Sequence, residues 1–184
     1  MDGRKGKVGD IILAQNALIV THPWDMHDTT LNVVETLTKK GFSGVYITLN
    51  RPHISVLESL EKKGISKDNI YFIDCVTSSI HHITNFKGER VLYADSPRDL
   101  GKDGTILRAI EHYVSSVPGK KFVLIDALRT MLLYNDEAVV VDFVSGLVEK
   151  LSGYGVKLVI LTRKDNDKEL IEDLSGLFDF YFEV

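Results

Sequence analysis

The sequence predicts an α/β fold, a three-layer α/β/α sandwich on a predominantly parallel sheet of about seven strands. Three observations predict it. Short apolar runs alternate along the chain with longer amphipathic segments. Several of those runs are unbroken by polar residues, as strands buried on both faces require. The composition, 44% hydrophobic and 26% charged over 184 residues, is that of a globular chain and excludes the disordered and fibrous classes. A chain of this mass folds to roughly 9,000 Å² from roughly 30,000 Å² unfolded, so a sizeable core needs neither disulfide nor metal.

The candidate strands are residues 17–20, 45–49, 70–73, 91–93, 122–125, 158–161 and 180–182. Residues 29–40 place Leu31, Val34 and Leu37, with Val33 less cleanly, at helical spacing, and Gly41 stops the pattern. Asp28 stands where an N-cap belongs. Residues 52–63 open with Pro52, bury Ile54, Leu57 and Leu60, and end at Gly64. Residues 105–116, 136–152 and 167–175 are the later helices. Residues 76–90 follow neither period. That segment, with Ser78, Ser79, His81, His82, Asn85 and Gly88, reads as a long loop or frayed helix, either a functional element or an ordinary surface excursion. No repeat, proline-rich linker or low-complexity tract divides the chain, so residues 1–184 are expected to form one domain.

The net charge of −4 gives no broad basic footprint, and nucleic acid is not an expected partner. Cys75 is the single cysteine, so no intrachain disulfide forms, which fits a reducing compartment. It follows a strand and reads as a small core residue. The apolar runs near the N-terminus are too short for a signal segment, and none approaches the ~18 residues of a membrane helix. The expectation is a cytoplasmic protein without membrane attachment.

Ligands gather at the carboxyl ends of parallel strands, and the first strand-to-helix turn commonly holds a phosphate. That turn here runs from Thr21 to Thr30, and its expected plan is strand, eight-residue loop, helix. Set against G-x-x-x-x-G-K-[ST], His22 and His27 fall on the glycines, Asp28 on the lysine and Thr29 on the magnesium-binding hydroxyl. Glycines allow positive φ and close approach to phosphate, which a histidine side chain obstructs. At ~5 Å and an effective dielectric near 20, each unit charge is worth roughly 3 kcal/mol. Exchanging lysine for Asp28 therefore disfavours a triphosphate by several kcal/mol. Asp126 closes the apolar run 122–125, where a P-loop NTPase holds its magnesium-bridging carboxylate, although Asp74 and Asp95 end runs in the same manner.

Three segments carry a family resemblance: Tyr46-Ile47-Thr48-Leu49-Asn50-Arg51-Pro52, Ala94-Asp95-Ser96-Pro97-Arg98-Asp99-Leu100, and the run from Phe122 through Asp126 to Leu133-Tyr134-Asn135. Together with the alternating plan over nearly the whole chain, they resemble the RecA-like ATPase domain, in particular its KaiC-like and RadA-like group. The third is the most specific, because that group's Walker B strand often runs on into a similar Asp-Ser-Leu segment ending in Leu-Tyr-Asn. The resemblance implies the RecA-like sandwich and a nucleotide site at the first turn. Active members carry P-loop glycines and lysine, and glutamates after the second strand that activate water. Here His22, His27 and Asp28 replace the first set, and Asn50 and Arg51 the second. Only Thr29 and Asp126 fit the nucleotide pattern.

The expected function is accordingly a catalytically inactive KaiC/RecA-like protein that regulates or scaffolds through protein contacts, as a homo-oligomer or beside a protein partner. No catalytic residue and no cofactor is expected. The alternative is a residual nucleotide or anion binder, or weak ATPase, using the altered loop with His22, His27, Asp28, Thr29 and Asp126; ATP and Mg belong to it alone. No metal is expected, since His22, Asp25, His27 and Asp28 lack the fixed spacing of a ligand set, and the adjacent pair His81-His82 points in opposite directions if extended. His53 and His112 read as helix-surface residues, and the clusters 4–7 and 62–67 as solvated charge. Trp24, the sole tryptophan, is either an exposed partner anchor or a buried cap on the sheet edge.

Overall fold

A computed structural model describes residues 8–78, 90–94, 96–98, 104–164 and 168–184. Residues 4–7, Ser79, His81, His82, Asn85, Gly88, Asp95, Asp99, Leu100 and Asp167 lie outside them. Seven runs form one sheet: β1 (Asn16–Thr21), β2 (Ser43–Thr48), β3 (Ile70–Asp74), β4 (Val91–Tyr93), β5 (Lys121–Ile125), β6 (Lys157–Arg163) and β7 (Phe180–Glu183). Their order is β4-β3-β2-β5-β6-β1-β7, and every pair is parallel. Between them stand α1 (Met26–Lys39), α2 (His53–Lys62), α3 (Thr105–Ser116), α4 (Leu128–Leu132), α5 (Glu137–Gly153) and α6 (Lys168–Ser175), and a single 3-10 turn (Val8–Ile12) precedes β1.

Alternation within each strand feeds two separate cores. Val45, Ile47, Val123, Ile125, Leu158 and Ile160 point to one face, where Ile106, Ile110, Val144, Leu147 and Leu174 of α3, α5 and α6 cover them. Tyr46, Phe72, Phe122, Leu124, Val159 and Leu161 point to the other, under Leu31, Val34 and Leu37 of α1 and Val56 and Leu60 of α2. Both faces are therefore apolar, which is why the strands read as continuous hydrophobic runs. Gly44 is required by this packing, because the Phe122 ring occupies the place a Cβ would take.

The layers follow from one crossover rule. α1 and α2 lead toward the β4 edge and share a face, whereas α3, α5 and α6 lead toward the β7 edge and share the opposite one. A constant crossover hand demands that segregation. β2 and β5 are neighbours whose following connections leave in opposite directions, so their carboxyl ends flank a topological switch point.

The elements differ from the sequence reading at several places, among them the inward face of α2, where Ile54, expected to be buried, is exposed and His53, Val56 and Leu60 are buried. α1 begins at Met26 and not Thr29: the Asp25 N–H donates to the His22 carbonyl across a turn with Pro23 at its second position, and the helix starts directly after it. Met26 is buried, so starting there extends the apolar stripe. The loop is consequently four residues long and not eight, and Asp28 sits in the first helical turn, with Asp25 at the N-cap position. α4 and the 3-10 turn, five residues each, are too short to show a period. His53 is buried rather than on a helix surface. Among the described residues no helix is long and apolar enough to cross a membrane.

Candidate functional site

The switch point opens into a cleft of about 260 Å³, lined on one side by Pro23, Trp24, Met26, His27 and Thr30 and on the other by Tyr46, Asn50, Arg51 and Asp126. Asp126 forms its floor. The apolar run of β5 delivers it to the carboxyl edge, where the Leu49 N–H donates to its Oδ1 at 2.9 Å and the Tyr46 hydroxyl to its Oδ2 at 3.3 Å. Burial raises its pKa, and these donors, Thr48 and the Arg51 charge offset that only in part, leaving it at about 6. The buried Tyr46 phenol is raised well above its usual value by the same burial and by the neighbouring carboxylate.

Residues 48–51 turn away from β2 in a braced conformation. The Thr48 hydroxyl donates to the Arg51 carbonyl, and the Thr130 hydroxyl donates to Asn50 Oδ1. Arg51 is exposed at the cleft mouth and makes no ion pair among the described residues. His27 contacts Ser59 Oγ through Nε2 at 3.1 Å. Burial lowers its pKa, the Arg51 charge lowers it further, and Asp28 opposes them.

The five nucleotide-pattern residues do not converge. His27 and Asp126 line the cleft. His22 stacks on Trp24 with centroids 4.8 Å apart and is not among the lining residues. Asp28 points outward, its side chain 72% exposed and 3.1 Å from Lys63 Nζ. Its side chain is therefore directed away from the cleft and paired with Lys63, which weakens the repulsion argued from its position in the sequence, although its charge is still felt at His27. Thr29 is buried within α1, its N–H donating to the Asp25 carbonyl, and it does not reach the cleft. Trp24 is 76% exposed, which resolves the choice between anchor and buried cap toward the exposed position.

Of the lining residues, Pro23, Met26, Thr30, Tyr46, Asn50 and Arg51 were not singled out as site residues from sequence. Asn50 and Arg51 stood out there only as departures from a family pattern. The usable signal was their place just after the second strand, at the carboxyl edge where ligands gather.

A second carboxylate lies beyond β2 from Asp126. Asp74 ends β3 fully buried and accepts from the His53 N–H at 2.9 Å, His53 Nδ1 at 2.8 Å, the Val76 and Thr77 N–H groups at 2.8 Å each, and the Thr77 hydroxyl at 2.6 Å. Burial alone would raise its pKa, but the His53 and Thr77 donors outweigh burial and hold it well below the usual carboxylate range. It caps the start of α2, a role that Pro52 at the N-cap position does not fill. Among the described residues no group of three or more His, Cys, Asp or Glu is arranged to hold a metal.

A family model described as a family of unknown function, DUF7090, matches residues 46–184, from within β2 to the end of the chain. Among solved structures, a KaiC-like protein from the hyperthermophilic archaeon Pyrococcus horikoshii OT3 matches with a TM-score of 0.51 at 18% identity. The match covers 88% of this chain and 71% of that one. At that identity it shows the fold, an α/β sandwich of KaiC/RecA-like type. No curated protein matches the chain.

Proposed function

This chain belongs to DUF7090, a family of unknown function, and we propose that it is a RecA-like protein that does not hydrolyse ATP and acts through protein contacts as a regulatory or scaffolding subunit. The observation that carries the reading is the first turn. A four-residue turn stands where a phosphate-cradling loop would wrap, and no lysine lines the cleft. A P-loop presents several backbone N–H groups and a lysine to the phosphates; here Pro23 has no N–H and the Asp25 N–H is spent on the His22 carbonyl.

Size argues the same way. Sites for drug-sized ligands occupy roughly 300 to 1,000 Å³, and the cleft, at about 260 Å³, falls below that range. The donor set thus does not suit Mg-ATP, and no hydrolytic step is assigned to these residues. Trp24, a large and exposed aromatic beside the cleft, supports the contact role, since tryptophan is enriched among interface anchors.

The test is Mg-dependent ATP turnover by the purified chain, with calorimetry of ATP in the presence and absence of Mg. The expected result is neither heat nor turnover. Turnover that Asp126→Ala abolishes would overturn the reading, and micromolar Mg-dependent binding without turnover would replace it with the nucleotide-binding alternative. Salt-sensitive retention of single-stranded DNA would move the partner class to nucleic acid.

A further inference from the structure

We propose that the cleft at the β2–β5 switch point binds a small oxyanion, a carboxylate or a tetrahedral anion, held between Arg51 at its mouth and the Asp126 carboxyl on its floor. This goes beyond the contact role proposed above and does not depend on it. The balance of free donors and acceptors in the cleft favours such a ligand. Arg51 presents guanidinium N–H groups that no other described residue engages in an ion pair, and its backbone is fixed by the Thr48 hydroxyl. Asn50 has its side-chain oxygen occupied by Thr130, which leaves its amide N–H groups as donors. The hydroxyls of Thr30 and Tyr46 already donate, to the Met26 carbonyl and to Asp126. The donors left for a ligand are therefore those of the consecutive residues Asn50 and Arg51, while the spent hydroxyls of Thr30 and Tyr46 offer only oxygen lone pairs.

Charge agrees. Arg51 is the one lysine or arginine among the residues that line the cleft, and it is exposed at the mouth. A carboxylate or tetrahedral oxyanion matches the planar fork of an arginine, and the small cleft volume restricts the ligand to that scale.

Asp126 makes the site responsive to pH. Facing it are Tyr46 and Thr48 from β2, the Leu49 N–H, and the Arg51 charge. Across the cleft His27 feels Arg51, Lys63 and Asp28; it also gains charge on acidification, which its burial opposes. Above about pH 6 the Asp126 carboxylate repels an anion; below it the neutral carboxyl becomes another donor. Anion affinity should rise as the pH falls through that value.

The experiment titrates the full chain with sulfate and with formate by calorimetry, at constant ionic strength, at about pH 5 and about pH 8, on either side of the Asp126 transition. Neither anion changes charge in that interval. Saturable binding is expected for at least one of them, about tenfold tighter at the lower pH. The preferred anion then distinguishes a tetrahedral ligand from a carboxylate. Arg51→Met should weaken binding by about tenfold or more, and Asp126→Asn should carry the low-pH affinity up to pH 8, leaving only the pH dependence that His27 contributes. Saturation by neither anion at either pH overturns the proposal, as does undiminished binding by Arg51→Met. Arg51 is exposed, so that variant decides the matter even if Asp126→Asn does not fold.

Discussion

Asp74 and Asp126 make a natural experiment within one sheet. They end β3 and β5, the two strands that flank β2, and Asp74 lies in register with Thr48 of β2. Both are buried. Yet the Asp74 pKa lies below the ordinary carboxylate range and that of Asp126 is pushed up to about 6. The difference is in the donors. Asp74 is surrounded by N–H and O–H groups from His53, Val76 and Thr77, so its negative charge is solvated by the protein. Asp126 has the Leu49 N–H, Thr48, a long contact to Tyr46 and the more distant Arg51 charge, too little to offset burial, and it faces a cleft. A strand-end aspartate is structural or available according to how completely its neighbours satisfy it.

The comparison breaks most visibly at Asp74. Replacing it with Asn sets an NH₂ group among donors and leaves the buried His53 and Thr77 groups short of an acceptor. The expected cost is about 3 kcal/mol or more, measured as a fall in urea midpoint. A loss below about 1 kcal/mol would mean that the donors are satisfied elsewhere and that Asp74 is no latch. Because its folded pKa is depressed, the stability Asp74 supplies is present above the unfolded value near 3.8 and is lost as the pH falls below it.

Asp126 should respond in the opposite sense. Its pKa is raised from 3.8 to about 6, so the folded state holds the proton more tightly than the unfolded chain. Its contribution is greatest below about pH 4 and disappears as the pH rises through about 6, a change of about 3 kcal/mol. Asp126→Asn should therefore be more stable than the parent at pH 8, by up to about that amount, and flatter between pH 4 and pH 7. Denaturant titrations across that range check it. If Asp126→Asn and Asp74→Asn destabilise alike at pH 8, the two carboxylates are not distinct.

This distinction was out of reach of the sequence, where Asp74, Asp95 and Asp126 look alike as endings of apolar runs. The sheet itself was legible because burial on both faces writes long apolar strings such as residues 122–125 and 158–161, and the predicted strands recur with ends shifted by two residues at most. Parallel order followed from the intervening helices. The site was legible only at Trp24, His27 and Asp126. His53 was misread because its burial depends on a carboxylate 21 residues away in the chain, and local periodicity carries no trace of such a partner. The first turn was misread because alignment with a loop motif fixed a length, whereas the turn at Pro23 and the buried Met26 let the helix start three residues earlier. Short elements such as α4 leave no period to read.

A smaller effect sharpens the contrast at Asp126 alone. Among the described residues Arg51 is the cation whose charge lowers the Asp126 carboxyl pKa. Arg51→Met should raise that pKa by about half a unit, since an exposed charge acts through a largely aqueous path. The Asp126 side-chain carbon signal followed by NMR across the transition reports it. Asp74, whose donors come from His53, Val76 and Thr77, should not move in the same variant. A matching shift at Asp74 would mean that the two sites share one field.

The smallest expected effect concerns the residue that alignment placed in the lysine position. Asp28 pairs with Lys63 at the surface, and its side chain is 72% exposed. Asp28→Lys replaces an exposed attraction with an exposed repulsion, which should lower stability by no more than about 1 kcal/mol. It also restores, on paper, the lysine that a phosphate loop uses. If position 28 faced the cleft, that charge reversal would recover about 3 kcal/mol per unit charge toward a phosphate, at roughly 5 Å and an effective dielectric near 20. Because the side chain points to Lys63 and solvent, calorimetry of Asp28→Lys with ATP and Mg should show no more binding than the parent. A gain of a hundredfold would place residue 28 at the phosphates and revive the alignment. No gain leaves the cleft chemistry to Arg51 and Asp126.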